Sequence, residues 1–172
     1  MSMLIFFDTE FTDLSIDGRL ISIGLVAEDG KRTFYAELSD TYAEKHCSDF
    51  VRLAVLPHLE GGNKAVTLVE LTVQLGKWLE EFDRPVKLAT DSLSWDWPWI
   101  QEIFRDPGTW PKNVEKKPKI LGQDTDLNLA IENAFSSGLR RHHSLDDAKA
   151  NRLGWLSQGA KVSKTDEDRP LL

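Results

Sequence analysis

Asp8-Thr9-Glu10 follows the apolar run Leu4-Ile5-Phe6-Phe7 without a break. Residues two apart in a strand project from the same face, so a strand ending here sends both carboxylates out together. Carboxylates held side by side repel unless a cation lies between them. Hard oxygen donors of this kind suit Mg²⁺ or Mn²⁺. A lone Asp-X-Glu is also what a strand fraying into a polar turn looks like. The run before this one puts the pair at the end of a core strand, a position favoured for active sites but not peculiar to them.

Two further stretches carry groups of the same kind. Asp96 sits in Ser94-Trp95-Asp96-Trp97-Pro98-Trp99-Ile100, where an N-cap or first-turn charge is the plain structural account. Pro98 fits a first helical turn as well. The three tryptophans could stack on bases, but their alternating spacing before a helix favours packing, with Trp99 and Ile100 facing the core. Arg140 to Ala148 reads Arg-Arg-His-His-Ser-Leu-Asp-Asp-Ala. Ser144 with Asp147 resembles a capping box, an Asp replacing the usual Glu. A histidine here would also serve as a general base, because its pKa lies close to neutrality; His142 and His143 both offer one.

Elements that could position these groups follow from periodicity. Leu4 to Phe7, Leu20 to Ala27 and Arg32 to Leu38 read as strands, and Asp29-Gly30 between the last two is a strong hairpin signal. Asp49 to Leu59 has helical spacing, stopped near Pro57. Thr67-Leu68-Val69-Glu70 matches a capping box before the apolar series Leu68, Leu71, Leu75, Trp78, Leu79 and Phe82. Val86 to Thr90 reads as a fourth strand, ending at Asp91. Helices are expected around Trp95 to Phe104, Asp126 to Phe135 and Leu145 to Leu156, with a long loop from Asp106 to Lys119. Together these predict an α/β fold: a mixed central sheet, with an antiparallel hairpin near the amino terminus, flanked by helices. Residues 1–158 form the domain, and the polar, breaker-rich 159–172 reads as a flexible tail.

Composition bounds the partners. The chain has 172 residues, 41% of them hydrophobic, which fits one domain of about 100–200 residues. No run approaches the roughly 18 apolar residues of a membrane span, and Met1 to Phe7 has neither a basic leader nor a small-residue cleavage site. Cys47 is the single cysteine, which sets aside an intrachain disulfide and a thiolate zinc cage and points to a reducing, cytoplasmic setting. Net charge is −7, with 28 acids against 21 bases, so broad electrostatic coating of a polyanion is disfavoured. Cations bound among clustered carboxylates would turn a repulsive cleft into a phosphate-binding one.

The order Asp-X-Glu on a first strand, an Asp after an aromatic in mid-chain, then a His with an Asp five residues on, resembles the DEDDh exonuclease superfamily. Its members include the proofreading subunit of bacterial polymerase III, RNase T and oligoribonuclease. Asp8 and Glu10 stand in the first motif, Asp96 takes the mid-chain position, and His142 and Asp147 fit His-X4-Asp. The likeness spans about residues 3 to 156 and is far more specific than any one motif. Asp-Thr-Glu-Phe followed by Leu-Ile-Ser-Ile-Gly-Leu-Val-Ala-Glu-Asp-Gly is most similar to small bacterial and phage 3′→5′ exoribonucleases.

The resemblance implies a ribonuclease H-like fold and two divalent cations, Mg²⁺ or Mn²⁺, on Asp8, Glu10, Asp96 and Asp147. It also implies His142 as general base and a single-stranded or 3′-overhanging substrate, RNA rather than DNA. Homodimers occur in several branches. His143 competes with His142, but only His142 has the offset to Asp147. Asp146 would point about 100° from Asp147 round a helix, and Asp91, ending a strand, rivals Asp96. Phe11, Thr12 and Leu14 stand where relatives contact the terminal nucleotide. Leu14 takes the place of an apolar wedge, although a loop leucine covering the core fits equally. Many relatives have Thr-Gly where this chain has Thr12-Asp13, and a glycine there would permit close backbone approach. A DNA 3′→5′ exonuclease would use the same acids, an endonuclease on this fold would not require His-X4-Asp, and a non-catalytic binding module would require every motif to be coincidence.

Overall fold

The computed structural model describes residues 1–167. Eleven strands and α-helices follow in order: β1 (Met3–Phe11), β2 (Leu20–Ala27), β3 (Thr33–Leu38), α1 (Asp49–Ala54), β4 (Ala65–Val66), α2 (Leu68–Glu80), β5 (Val86–Thr90), α3 (Leu93–Ile103), β6 (Lys119–Ile120), α4 (Thr125–Ser136) and α5 (Ser144–Glu167). The strands form one mixed sheet in the order β4-β3-β2-β1-β5-β6. β1 pairs antiparallel with β2 and parallel with β5. The expected hairpin joins β2 to β3, with Gly30 at φ 75° supplying the left-handed turn residue.

Both faces of the sheet are covered, which is why β1 is apolar without alternation. Ile5 and Phe7 pack on one side with Leu71, Leu75 and Leu79 of α2 and Ile100 and Ile103 of α3. Leu4 and Phe6 pack on the other with Leu127 of α4 and Ala148 of α5. The even positions of β1 therefore face α4 and α5, and Asp8 and Glu10 continue that series. The capping box of α2 forms as expected: Glu70 N–H donates to Thr67 Oγ1 at 3.2 Å, and Thr67 N–H to Glu70 Oε2 at 2.8 Å.

Some boundaries differ from the sequence reading. The helix from Asp49 closes at Ala54 and a 3₁₀ turn, Leu56–His58, carries Pro57. The two-residue strands β4 and β6 were not foreseen; two residues carry no periodicity. α5 continues past Leu156 to Glu167, through residues assigned by composition to the tail, and 168–172 lie outside the described residues. No helix among the described residues is long and apolar enough to cross a membrane.

Candidate functional site

The carboxyl ends of the parallel strands β1 and β5 open into a cavity of about 540 Å³, the usual ligand position in an open α/β sheet. Asp8 and Glu10 enter from β1, Asp91 from just past β5, Asp96 from the first turn of α3, and Asp147 from the first turn of α5. β1 bulges between Glu10 and Phe11, and such a bulge re-aims the residues that follow it. One ligand atom each from Glu10, His142 and Asp147 lie within 4.8 Å of one another, and so do ligand atoms from Asp8, Asp91 and Asp96. The sequence-predicted carboxylates are thus brought together, and Asp91 joins Asp96 where the two had been rivals.

Gly24 lets α5 reach the sheet. It pairs with Asp8 across the ladder, and a Cβ there would lie 2.2 Å from the backbone N of Leu145. Without that side chain, the start of α5 rests directly on β2, and Asp147 comes level with Glu10. Ser144 does not cap the helix as its sequence suggested. It is already helical, and its hydroxyl meets that of Ser22 at 3.1 Å. Asp147 instead accepts the backbone N–H of His142 at 3.0 Å.

The adjacent histidines take different roles. His142 has φ 63°, the single non-glycine positive φ among the described residues, a conformation costing roughly 1–2 kcal/mol for an L-residue. Its ring lines the cavity, edge-on to Phe50 at 5.0 Å, and burial followed by the charge of Arg141 lowers its pKa. His143 is buried, stacks on Tyr35 at 4.4 Å, and meets Glu60 Oε1 through Nε2 at 3.1 Å. Asp146 is turned away as expected, accepting from Arg140 Nε at 2.8 Å.

Electrostatics set the cluster apart from ordinary surface acids. Burial, and then the charges of Asp96, Asp147, Glu10 and Asp91, raise the pKa of Asp8 well above the usual carboxylate range. Burial and the neighbouring Asp147 push Glu10 up to about 9. Asp147 rises to about 7, chiefly by burial. Asp96 is buried too but rises only to about 6, because the hydroxyls of Thr9 and Thr90 each donate to it at 2.6 Å. Among the described residues, none of these acids forms an ion pair with a lysine or arginine. A set of oxygen donors that raise one another's pKa and lack a cationic partner fits divalent cations.

At the rim two sequence expectations change and a third is narrowed. Trp95 is not packing but 44% exposed on the cavity wall, stacked on Phe11 at 6.1 Å. Thr12 is buried outside the cavity, its hydroxyl accepting the N–H of Arg19 at 3.0 Å. Leu14 is 65% exposed on the cavity wall, so it does not cover the core. Asn151, which sequence reasoning missed, donates to Asp91 Oδ1 at 2.8 Å; its place one turn after Asp147 was the available signal.

Over 98 residues the chain is 40% identical to proteins named 3′-5′ exoribonuclease from two Mycobacterium tuberculosis strains, CDC 1551 / Oshkosh and ATCC 25618 / H37Rv. The chain is similar to 3′-5′ exoribonucleases. The match takes in 57% of this chain and 54% of each relative, so the chain spans about half the length of the curated relatives it matches. Among solved structures, exonuclease I superposes with a TM-score of 0.54 at 13% identity, over 96% of this chain and 41% of that one. The Pan2 catalytic unit of Neurospora crassa, its protease and nuclease domain, gives 0.53 at 15%, over 95% and 28%. At these identities the likeness shows the fold, which is ribonuclease H-like. No family model matches the chain.

Proposed function

We propose that the protein is a 3′→5′ exoribonuclease dependent on two divalent cations, releasing nucleoside 5′-monophosphates from a free 3′ end. The observation that carries this reading is the convergence of Asp8, Glu10, Asp96 and Asp147, from three elements, in one cavity with His142 at its edge. The relatives named exoribonuclease support RNA as the substrate; a contact to the 2′-hydroxyl is what would discriminate it physically.

The four carboxylates would hold Mg²⁺ or Mn²⁺. When bound, the ions supply activation of the attacking water and stabilisation of charge on the departing 3′ oxygen. His142 accepts the proton of the attacking water; its lowered pKa keeps the ring neutral and able to do so near pH 7. Thr9 and Thr90 hold Asp96 in one orientation. Phe11, Trp95 and Leu14 give the terminal base an apolar wall. The phosphorus–O3′ bond breaks, and the shortened strand leaves with a 3′-hydroxyl. Homodimerisation belongs to the same reading and is measured by sedimentation.

Digestion of 5′-labelled RNA and DNA of equal sequence in Mg²⁺ or Mn²⁺ tests the proposal. A ladder of progressively shorter 5′-labelled RNA, slowed by a 3′-phosphate, is expected. Faster loss of DNA would make the protein a DNA exonuclease. Internal fragments from a circular RNA would make it an endonuclease and overturn the reading.

A further inference from the structure

Arg141 is the single lysine or arginine among the described residues lining the cavity. The other cation of the pair, Arg140, is engaged on Asp146 at 2.8 Å and Glu60 at 3.4 Å. Arg141 instead packs on α4: its guanidinium carbon lies 4.2 Å from the ring centre of Phe135, another lining residue. One terminal nitrogen donates to Glu132 Oε2 at 2.7 Å. That contact uses one of five N–H donors. The aromatic face orients the guanidinium plane. Glu132 is 61% exposed, and an ion pair in water contributes only ~0–1 kcal/mol, so its carboxylate is readily exchanged for another anion.

The cavity needs such a group. A nucleic-acid strand brings a phosphate with every nucleotide, while the wall offers Asp8, Glu10, Asp13, Asp91, Asp96 and Asp147. Cations among the carboxylates answer the phosphate under attack. For a second phosphate, Arg141 is the one lysine or arginine that the described lining offers, among acidic, polar and apolar side chains. We propose that Arg141 binds a backbone phosphate of the bound strand, its guanidinium leaving Glu132 for the non-bridging oxygens while Phe135 keeps it in place. The proposal rests on the nuclease reading for its ligand class, and it assigns to the residue before His142 a substrate role that the carboxylate signature does not contain.

The test is binding of a fluorescent single-stranded RNA oligonucleotide by the full chain carrying Asp8→Asn to block cleavage, in Mg²⁺, across a series of KCl concentrations. Each phosphate contact to a single strand contributes ~0.7 to the slope of log affinity against log salt. Arg141→Gln should make the slope shallower by about that amount and weaken binding equally for different sequences. Glu132→Gln should tighten binding, and should do nothing once Arg141→Gln is present. Lys31→Gln, in the hairpin at the far end of the sheet, should leave the slope unchanged. An unaltered slope in Arg141→Gln, absence of binding by the parent, or equal tightening by Glu132→Gln in both backgrounds would overturn the proposal. Wild-type protein that cleaves RNA from the 3′ end while the slope is unaltered loses this inference alone. Wild-type protein that cleaves nothing while the slope falls loses the nuclease reading and keeps the phosphate contact.

Discussion

The two halves of the cavity are built from the same residue types and behave differently. On one side Asp96 lies buried, with Asp8 and Asp91 near it, and both of its oxygens accept threonine hydroxyls. On the other, Glu10 and Asp147 face His142, and no hydroxyl comparable to Thr9 or Thr90 donates to Glu10 among the described contacts. Glu10 is more perturbed than Asp96: it rises to about 9, Asp96 only to about 6. Burial penalises both carboxylates, but donors to the charged form offset much of that penalty at Asp96. One half is thereby oriented before any ligand arrives. Glu10 and Asp147 have no such hydroxyl donors among the described contacts, and burial with their mutual interaction disfavours two charges there.

The harshest way to break this arrangement is at Asp8, on which the acids of both halves act. Asp8→Asn should reduce RNA hydrolysis by ~10³-fold or more, since the ions it would hold contribute several kcal/mol of charge stabilisation. The cation-free melting temperature should stay level or rise, because one repelling carboxylate is gone. A folded Asp8→Asn protein with near-normal turnover would remove the two-cation assignment.

The open half depends on one histidine and not its neighbour. His142→Ala should lower kcat ~10²–10⁴-fold while calorimetry finds Mn²⁺ affinity retained. His143→Ala should keep turnover near the parent value at low temperature but cost ~1–3 kcal/mol of stability, because the buried ring stacked on Tyr35 is lost and a cavity left. The reverse pattern would exchange the roles of the two residues. Gly24→Ala tests the support under both: its Cβ meets the Leu145 backbone at 2.2 Å, so α5 must shift. A loss of ~1–3 kcal/mol, typical of overpacking, should come with lower kcat, and unchanged melting would show that β2 and α5 tolerate separation.

The pH dependence separates the halves most finely. Glu10, Asp147 and Asp96 have folded-state pKa values of about 9, 7 and 6, all above the ordinary carboxylate range. The folded state therefore binds more protons than the unfolded chain between about pH 4 and 9, and stability falls as pH rises through that window. Below about pH 4 the contribution is fully present. Melting without divalent cations should decline from acid to alkaline pH, and the stabilisation by added Mn²⁺ should grow with pH. A profile that rises with pH would contradict the directions given. Thr90→Val should have the smallest effect, ~1 kcal/mol of stability, and should move the Asp96 titration upward from about 6.

Local order was legible because it is carried by neighbours in the chain. Asp29-Gly30 encodes the hairpin and Thr67 with Glu70 the start of α2, and both form. The spacing of Asp8 and Glu10 places them on one strand face, where they are found. Trp95 misled for the same reason: its spacing matched that of Trp97 and Trp99, which do pack on the core, but spacing does not reveal where a cavity opens beside a helix. Asp91 and Asp96 read as alternatives because a linear motif admits one acid, whereas a strand end and a helix start can deliver two.

The identity and order of the acids, the strand that carries the first pair and the apolar faces on which the helices pack were determined by sequence alone, since each depends on residue type and on separations of a few positions. Tertiary structure decided which groups meet. Thr9 reaches Asp96 across 87 positions, α5 settles on β2 because Gly24 has no side chain, and His142 turns into the cavity at φ 63° while His143 is buried against Tyr35. Periodicity encodes the direction in which a side chain leaves its own element. The distance between two such side chains is set by how closely the elements pack, and that depends on the whole core.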